Sequence, residues 1–182
     1  MRSKYLPAAT ALMVVLGTVG CAATGGAPSI QRTAAPAATA RPTAVVPATA
    51  APASLYDEEA DAHADVAAAF AAAKADGKRV LLDFGADWCP DCHVLAAHLE
   101  SANGRAMIEK SFHVVRIDVG YWDHNLDVAE QFGSPIDNGI PAVVVLEADR
   151  TIVGSSADGF LANARVMTEK QVLDYLAPFA LP

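Results

Sequence analysis

Three cysteines in 182 residues are too few for a disulfide framework, which needs several pairs to staple a small secreted fold. Cys89 and Cys92 form the single close pair, so a four-ligand zinc site would lack its usual second pair. Acidic residues are missing from positions 1–54. All 21 of them fall downstream, against nine of the 13 Lys/Arg, giving that part a formal charge of −12. Such a balance speaks against nucleic acid and against direct docking on anionic lipid. No block of like charge is long enough to act as a docking tail. Long apolar runs are lacking as well: the stretch Leu6–Val19 falls short of the ~20 residues that a membrane span requires.

What stands at the start is a secretion signal. Arg2 and Lys4 precede that apolar stretch, and small residues follow it, the pattern of a signal peptide over residues 1–20. Thr18-Val19-Gly20-Cys21 resembles a bacterial lipobox, with Thr18 where Leu is usual. Cys21 is therefore expected to carry a lipid, ordinary cleavage after Cys21-Ala22-Ala23 being the alternative. Ala22 in the next position resembles lipoproteins sent to the outer membrane. Residues 22–54 hold 13 Ala, 5 Pro and 5 Thr. They have too little apolar surface to offset ordering entropy and read as a disordered tether with a reach of roughly 30 Å. The folded unit is then residues 55–182, long enough for a sizeable core.

Along that unit, apolar runs alternate with helical patterns. Ser54-Leu55-Tyr56-Asp57 reads as a capping box opening a helix that stops at Gly77. A strand over Val80–Phe84 and a helix from Cys89 follow, with Leu95 and Leu99 on one face. Strand Phe112–Val119, helix Leu126–Phe132, strand Ala142–Glu147, an antiparallel strand Thr151–Gly154 and a last helix from Thr168 complete the series. The order predicts an α/β fold with a central mixed β-sheet flanked by helices.

Trp88-Cys89-Pro90-Asp91-Cys92 sits where the first strand gives way to a helix. The C-x-x-C spacing there lets the two sulfurs close an intramolecular disulfide. The helix N-terminus favours a thiolate on Cys89, expected to be the exposed attacking cysteine. Cys92, one turn in, is expected to be shielded and to resolve the mixed disulfide.

Together with Leu82-Asp83-Phe84-Gly85-Ala86-Asp87 before it and Gly139-Ile140-Pro141-Ala142 after it, this stretch resembles the thioredoxin superfamily. Within it the chain is similar to single-domain periplasmic thioredoxin-like proteins and to the C-terminal domain of the transmembrane protein DsbD. The resemblance implies a thioredoxin fold, thiol–disulfide oxidoreductase activity, protein thiols and disulfides as partners, and no cofactor. It further implies a DsbD-like electron donor on the periplasmic side of the cell envelope. Cys89 and Cys92 match the catalytic pair, Pro141 the cis-proline that presents the Ile140 backbone to substrate, and Asp83 the buried acid below the resolving cysteine. Trp88 and Pro90 complete the expected substrate surface. One departure is Val114, where thioredoxins often place a lysine near the acid, so Asp83 is expected to be drier and less easily ionised. Acids at Asp87 and Asp91 disfavour the Cys89 thiolate and point to a reducing couple rather than a strong oxidant.

Other readings stay open at this level. Cys89–His93 also fits C-x-x-C-H, the haem-attachment signature, with Met107 or Met167 as an axial ligand. A soft-metal (copper) delivery module would use both cysteines with His93 or His98. A non-catalytic binding module would use the surface alone. The loops Gly120–Asn125 and Ser134–Asn138 read as a partner-specific rim, or, for Tyr121 and Trp122, as aromatics capping the core.

Overall fold

A computed structural model describes residues 54–182. The signal peptide, Cys21 and the tether up to residue 53 lie outside the described residues. The expected strand–helix alternation is present, with some differences. Strand β1 (Arg79–Gly85) lies at the centre of a four-stranded sheet. It pairs in parallel with β2 (Phe112–Asp118) and antiparallel with β3 (Ala142–Leu146), and β3 pairs antiparallel with the edge strand β4 (Ile152–Ser155).

The pleat sorts β1 between two cores, because successive side chains point to opposite faces. Val80, Leu82 and Phe84 pack with α1 (Ala62–Asp76) and α4 (Leu126–Gln131). Leu81 faces the other way, towards α2 (Pro90–Leu99), the 3₁₀ segment Phe160–Val166 and α5 (Glu169–Leu176). Each of these leucines is fully buried, a contribution of about 1.5–3 kcal/mol per side chain. Asp83 follows Leu81 by two and shares its phase, so a carboxylate enters the layer beneath α2.

The ends of the elements follow their capping residues. The Asp61 carboxylate accepts from the Ala64 N–H, and Gly77, at φ 79°, closes α1 in the left-handed region where glycine has no Cβ to strain. Thr168 and Gln171 form the capping box that opens α5.

Three expectations are corrected. Ser54–Asp57 does not open a helix: α1 begins only at Ala62, and Ser54 and Tyr56 bind across to Asp87 instead. A further helix, α3 (Ala102–Ser111), lies between α2 and β2, capped by Ser101, whose hydroxyl accepts from the Gly104 N–H at 3.0 Å. Gly104 sits so tightly on the end of α2 that a Cβ there would overlap the His98 carbonyl. The 3₁₀ segment Phe160–Val166 between β4 and α5 is the third difference.

Candidate active site

Two chain reversals bring the site together. β1 ends at Gly85, and the chain turns through Ala86–Trp88 into α2, whose N-cap is Cys89. β3 begins at Ala142, paired with Phe84 near the same end of β1. The residues just before it, Ile140 and Pro141, are joined by a cis peptide bond and so lie against the start of α2. Cys89 Sγ is 3.7 Å from the Ile140 carbonyl oxygen.

Cys89 and Cys92 are joined as a disulfide, with their Cα atoms 5.3 Å apart. The N–H of Cys92 donates to Cys89 Sγ at 3.1 Å, so the sulfur occupies the N-cap acceptor position. A thiolate there would meet the same N–H and the positive end of the helix, the physical basis for favouring ionised sulfur at this place. Pro90 takes the first helical position, where its missing N–H costs nothing, and is exposed.

The expected contrast between an open Cys89 and a closed Cys92 is not found: Cys89 is 2% exposed and Cys92 fully buried. The reason is the packing around the pair, since both sulfurs belong to the same apolar cluster as Ile140, Ala86 and Phe84. Trp88 stands at the rim, 43% exposed. Its indole N–H donates to the Gly120 carbonyl at 2.8 Å, and its ring stacks on Tyr121 at 5.4 Å between centroids. Tyr121 and Trp122 are 76% and 44% exposed, so they form a rim and do not cap the core.

Below α2, Asp83 is completely buried. Its Oδ1 accepts a hydrogen bond from the Tyr56 hydroxyl at 3.0 Å. Its Oδ2 faces Arg116 Nε at 3.9 Å, close enough for attraction but too far for a hydrogen bond, and both atoms lack a hydrogen-bond partner. Burial pushes the Asp83 carboxyl up to about 6, against the opposing pull of Arg116 and of the Tyr56 hydroxyl. The same burial and the neighbouring carboxylate hold the Tyr56 phenol well above its ordinary value. The missing lysine at Val114 therefore does not leave the acid without a cation, because Arg116 pairs with Asp83 across the β1–β2 ladder.

The two acids beside the cysteines are each engaged. Burial raises the Asp87 carboxyl, but hydrogen bonds from Ser54, Tyr56 and Leu55, together with nearby His93, outweigh it and set the group below its usual range. Asp91 is buried, accepting from the Arg165 N–H at 2.9 Å with Arg165 Nε at 3.4 Å.

Tyr56, Arg116 and Arg165 carry no motif by which sequence alone would mark them. Arg116 offers a faint signal, as a charge within the alternating strand Val114–Asp118.

The alternative ligand sets are not assembled. His93 Nε2 lies 2.7 Å from the Asp87 carbonyl oxygen and His98 Nε2 lies 3.3 Å from that of Met167. Met107 and Met167 pack on the second core cluster. Among the described residues no three His, Cys, Asp or Glu side chains gather as a metal site.

Comparison with known proteins agrees with this geometry. Residues 61–148 match a family described as thioredoxin-like. A disulphide isomerase from Xylella fastidiosa Temecula1 is 44% identical, the alignment covering 70% of this chain and 98% of that one, with a TM-score of 0.68. The C-terminal domain of DsbD from Neisseria meningitidis is 30% identical in its oxidised form, over 56% and 91% of the two chains, with a TM-score of 0.42. Its reduced form is 28% identical, over 65% and 96%, with a TM-score of 0.48. No curated protein matches the chain.

Proposed function

Because the chain belongs to the thioredoxin-like family, we propose that it is a thiol–disulfide oxidoreductase of the bacterial cell envelope that acts from its dithiol form. The observation that carries this reading is the Cys89–Cys92 pair at the N-terminus of α2, with the Ile140 carbonyl 3.7 Å from Cys89 Sγ. A substrate strand laid along Ile140 would bring its disulfide to that sulfur.

The electrons balance as a two-step exchange. The Cys89 thiolate attacks one substrate sulfur; a new S–S bond forms, the substrate's own S–S bond breaks, and the departing thiolate takes a proton from water. Cys92 then loses its proton, through water, to the Asp83 carboxylate beneath α2 and attacks Cys89. This releases the second substrate sulfur as a thiolate, which takes a proton from water, and leaves the protein disulfide. Two electrons have passed from protein to substrate. An isomerase begins with the same first step, so the activity named for the Xylella relative draws on the same reduced form.

The reducing direction rests on Asp87. Its carboxyl is held below the ordinary range by Ser54 and the N–H groups of Tyr56 and Leu55, so a negative charge persists two residues before Cys89 and disfavours the competing thiolate. Asp91 contributes less than its position suggests, since Arg165 faces it. Equilibration with glutathione should give a potential of about −200 mV or lower, and the reduced protein should precipitate insulin by cleaving its disulfides. A potential near the roughly −120 mV of a strong oxidant would reverse the direction.

Location and electron supply belong to the same proposal. The signal-like residues 1–20 and Cys21 support a lipid-anchored protein on the periplasmic side, at the outer membrane. The resemblance to periplasmic redox proteins supports a DsbD-like donor. Cys21→Ser should move the protein from the membrane to the soluble fraction and leave insulin reduction unchanged. A wild-type protein that is already soluble, with its N-terminus beyond Cys21, would remove the anchor from the account.

A further inference from the structure

Between the Trp122–Leu126 and Ser134–Gly139 segments lies a cleft of about 430 Å³ that the exchange chemistry does not use. Its walls combine apolar Trp122, Leu126 and Ile136 with the carboxylates of Glu130 and Asp137, and Gly139 closes one end. Gly139 immediately precedes Ile140, and Trp122 follows the Tyr121 that stacks on Trp88. The cleft thus adjoins, along the chain, both Ile140, whose carbonyl faces Cys89 Sγ, and the Trp88–Tyr121 stack.

Its construction is costly. Trp122, Asn125 and Ser134, at φ 68°, 50° and 49°, are three of the four non-glycine residues with left-handed backbone among the described residues; Trp122 and Ser134 line this cleft, and Asn125 directly precedes its Leu126. Side chains rarely adopt that conformation, and where they do the surroundings must hold them in it. Here the Trp122 N–H donates to the Val119 carbonyl at 2.9 Å, the Asn125 side-chain amide to the Asp118 carbonyl at 2.8 Å, and the Ser134 N–H to the Ala129 carbonyl at 2.8 Å. Trp122 remains 44% exposed in this arrangement.

Charge identifies what fits. From Arg116 to Arg150 the chain has no Lys or Arg between those two residues, while Asp123, Asp127, Glu130 and Asp137 lie in or next to the segments bounding the cleft. A cationic side chain would find both carboxylates and the face of an exposed indole, and an apolar neighbour would find Leu126 and Ile136. Resting on the redox reading above, we propose that this cleft docks an extended segment of the protein substrate in which an apolar side chain stands next to a Lys or Arg, close to the disulfide to be reduced. The redox pair supplies the reaction, and the cleft chooses which disulfides reach it.

The test separates docking from exchange. Three cysteine-free octapeptides, carrying Leu between lysines, Leu between glutamates, or Gly between lysines, are titrated into the full-length oxidised protein, with tryptophan emission as the readout. The Lys–Leu peptide should bind about tenfold more tightly than either of the others, a difference of ~1.4 kcal/mol. Its preference over the glutamate peptide should fall towards unity in Glu130→Gln/Asp137→Asn, two exposed positions, and should weaken with salt. Equal affinity for the Lys and Glu peptides, no emission change with any peptide, or an undiminished preference in the double variant would overturn the proposal. Disulfide-linked versions of the same peptides are then offered to the reduced protein. Selective docking without reduction leaves the cleft standing and removes the redox reading, whereas reduction without preference removes the cleft alone.

Discussion

Cys92→Ser is expected to halt turnover and to accumulate the protein in covalent complexes with its partners. With the resolving sulfur gone, Cys89 still attacks, but the mixed disulfide has no internal thiol to release it. The loss of insulin reduction should reach roughly three orders of magnitude, as expected when one member of a nucleophilic unit is removed. Non-reducing electrophoresis of cells should show partner adducts with Cys92→Ser and none with Cys89→Ser. Adducts formed only by the second variant would exchange the two roles. The burial of Cys89 adds a quantitative expectation. Because Cys89 is covered to within 2%, bulky alkylating reagents should react slowly with the reduced protein, and the difference between the cysteines should come from ionisation more than from access.

Asp83→Asn should act on stability and rate in opposite directions. The unfolded chain ionises this carboxyl near its ordinary value, whereas in the fold it titrates at about 6. Between those two values the folded protein binds more protons than the unfolded one, so stability falls as pH rises through the window. The displacement of about two pKa units corresponds to roughly 3 kcal/mol, fully present above the folded value. Denaturant titration should therefore find Asp83→Asn more stable than wild type at pH 7 by up to that amount. The two should converge below about pH 3, where the acid is neutral in the folded and the unfolded chain alike. The rate tells the other half. Only the carboxylate accepts the Cys92 proton, so release of the mixed disulfide should accelerate in wild type as pH rises through 6 and lose that dependence in the variant. A general base of this kind is worth about 10²-fold or more. A variant with unchanged stability and an unchanged pH–rate profile would make Asp83 a passive core residue.

The two central strands are legible because each is a short, mostly apolar run whose identity does not depend on its neighbours. Val80–Phe84 and Ala142–Leu146 are buried from either face, and such runs leave little else to be. The cysteine pair was legible for a similar reason: its chemistry depends on spacing and on the strand–helix junction, both written locally. Helix α3 was not. Ala102–Ser111 contains Asn103 and Gly104, poor helix formers, and buries only Gly104 and Ser111. It forms because Ser101 caps it and Gly104 lets it approach α2, facts that exist only in three dimensions. The opening segment misled for the converse reason. Ser54–Asp57 has the composition of a helix start, but Tyr56 gains more by entering the core beside Asp83 than by joining a helix. The cation facing Asp83 escaped notice because the position where a lysine was expected holds Val114. Arg116, two residues on, reaches the same carboxylate from the paired strand.

The contacts of Ser54 and Tyr56 bear on where this protein can be cut. These two residues, at the start of the described chain, satisfy Asp87 with a hydroxyl and an N–H and cover Asp83 with a phenol ring. The ring also lies so close over Gly85 that a Cβ there would overlap it. A shortened form starting at Asp57 would keep every strand and every helix of the domain. It would nonetheless open the floor of the redox site to water, freeing Asp83 to ionise near its ordinary value and leaving Asp87 without its clasp. A protease that nicks the chain there would therefore do two things at one cleavage: part the domain from residues 1–53 and retune the couple it carries.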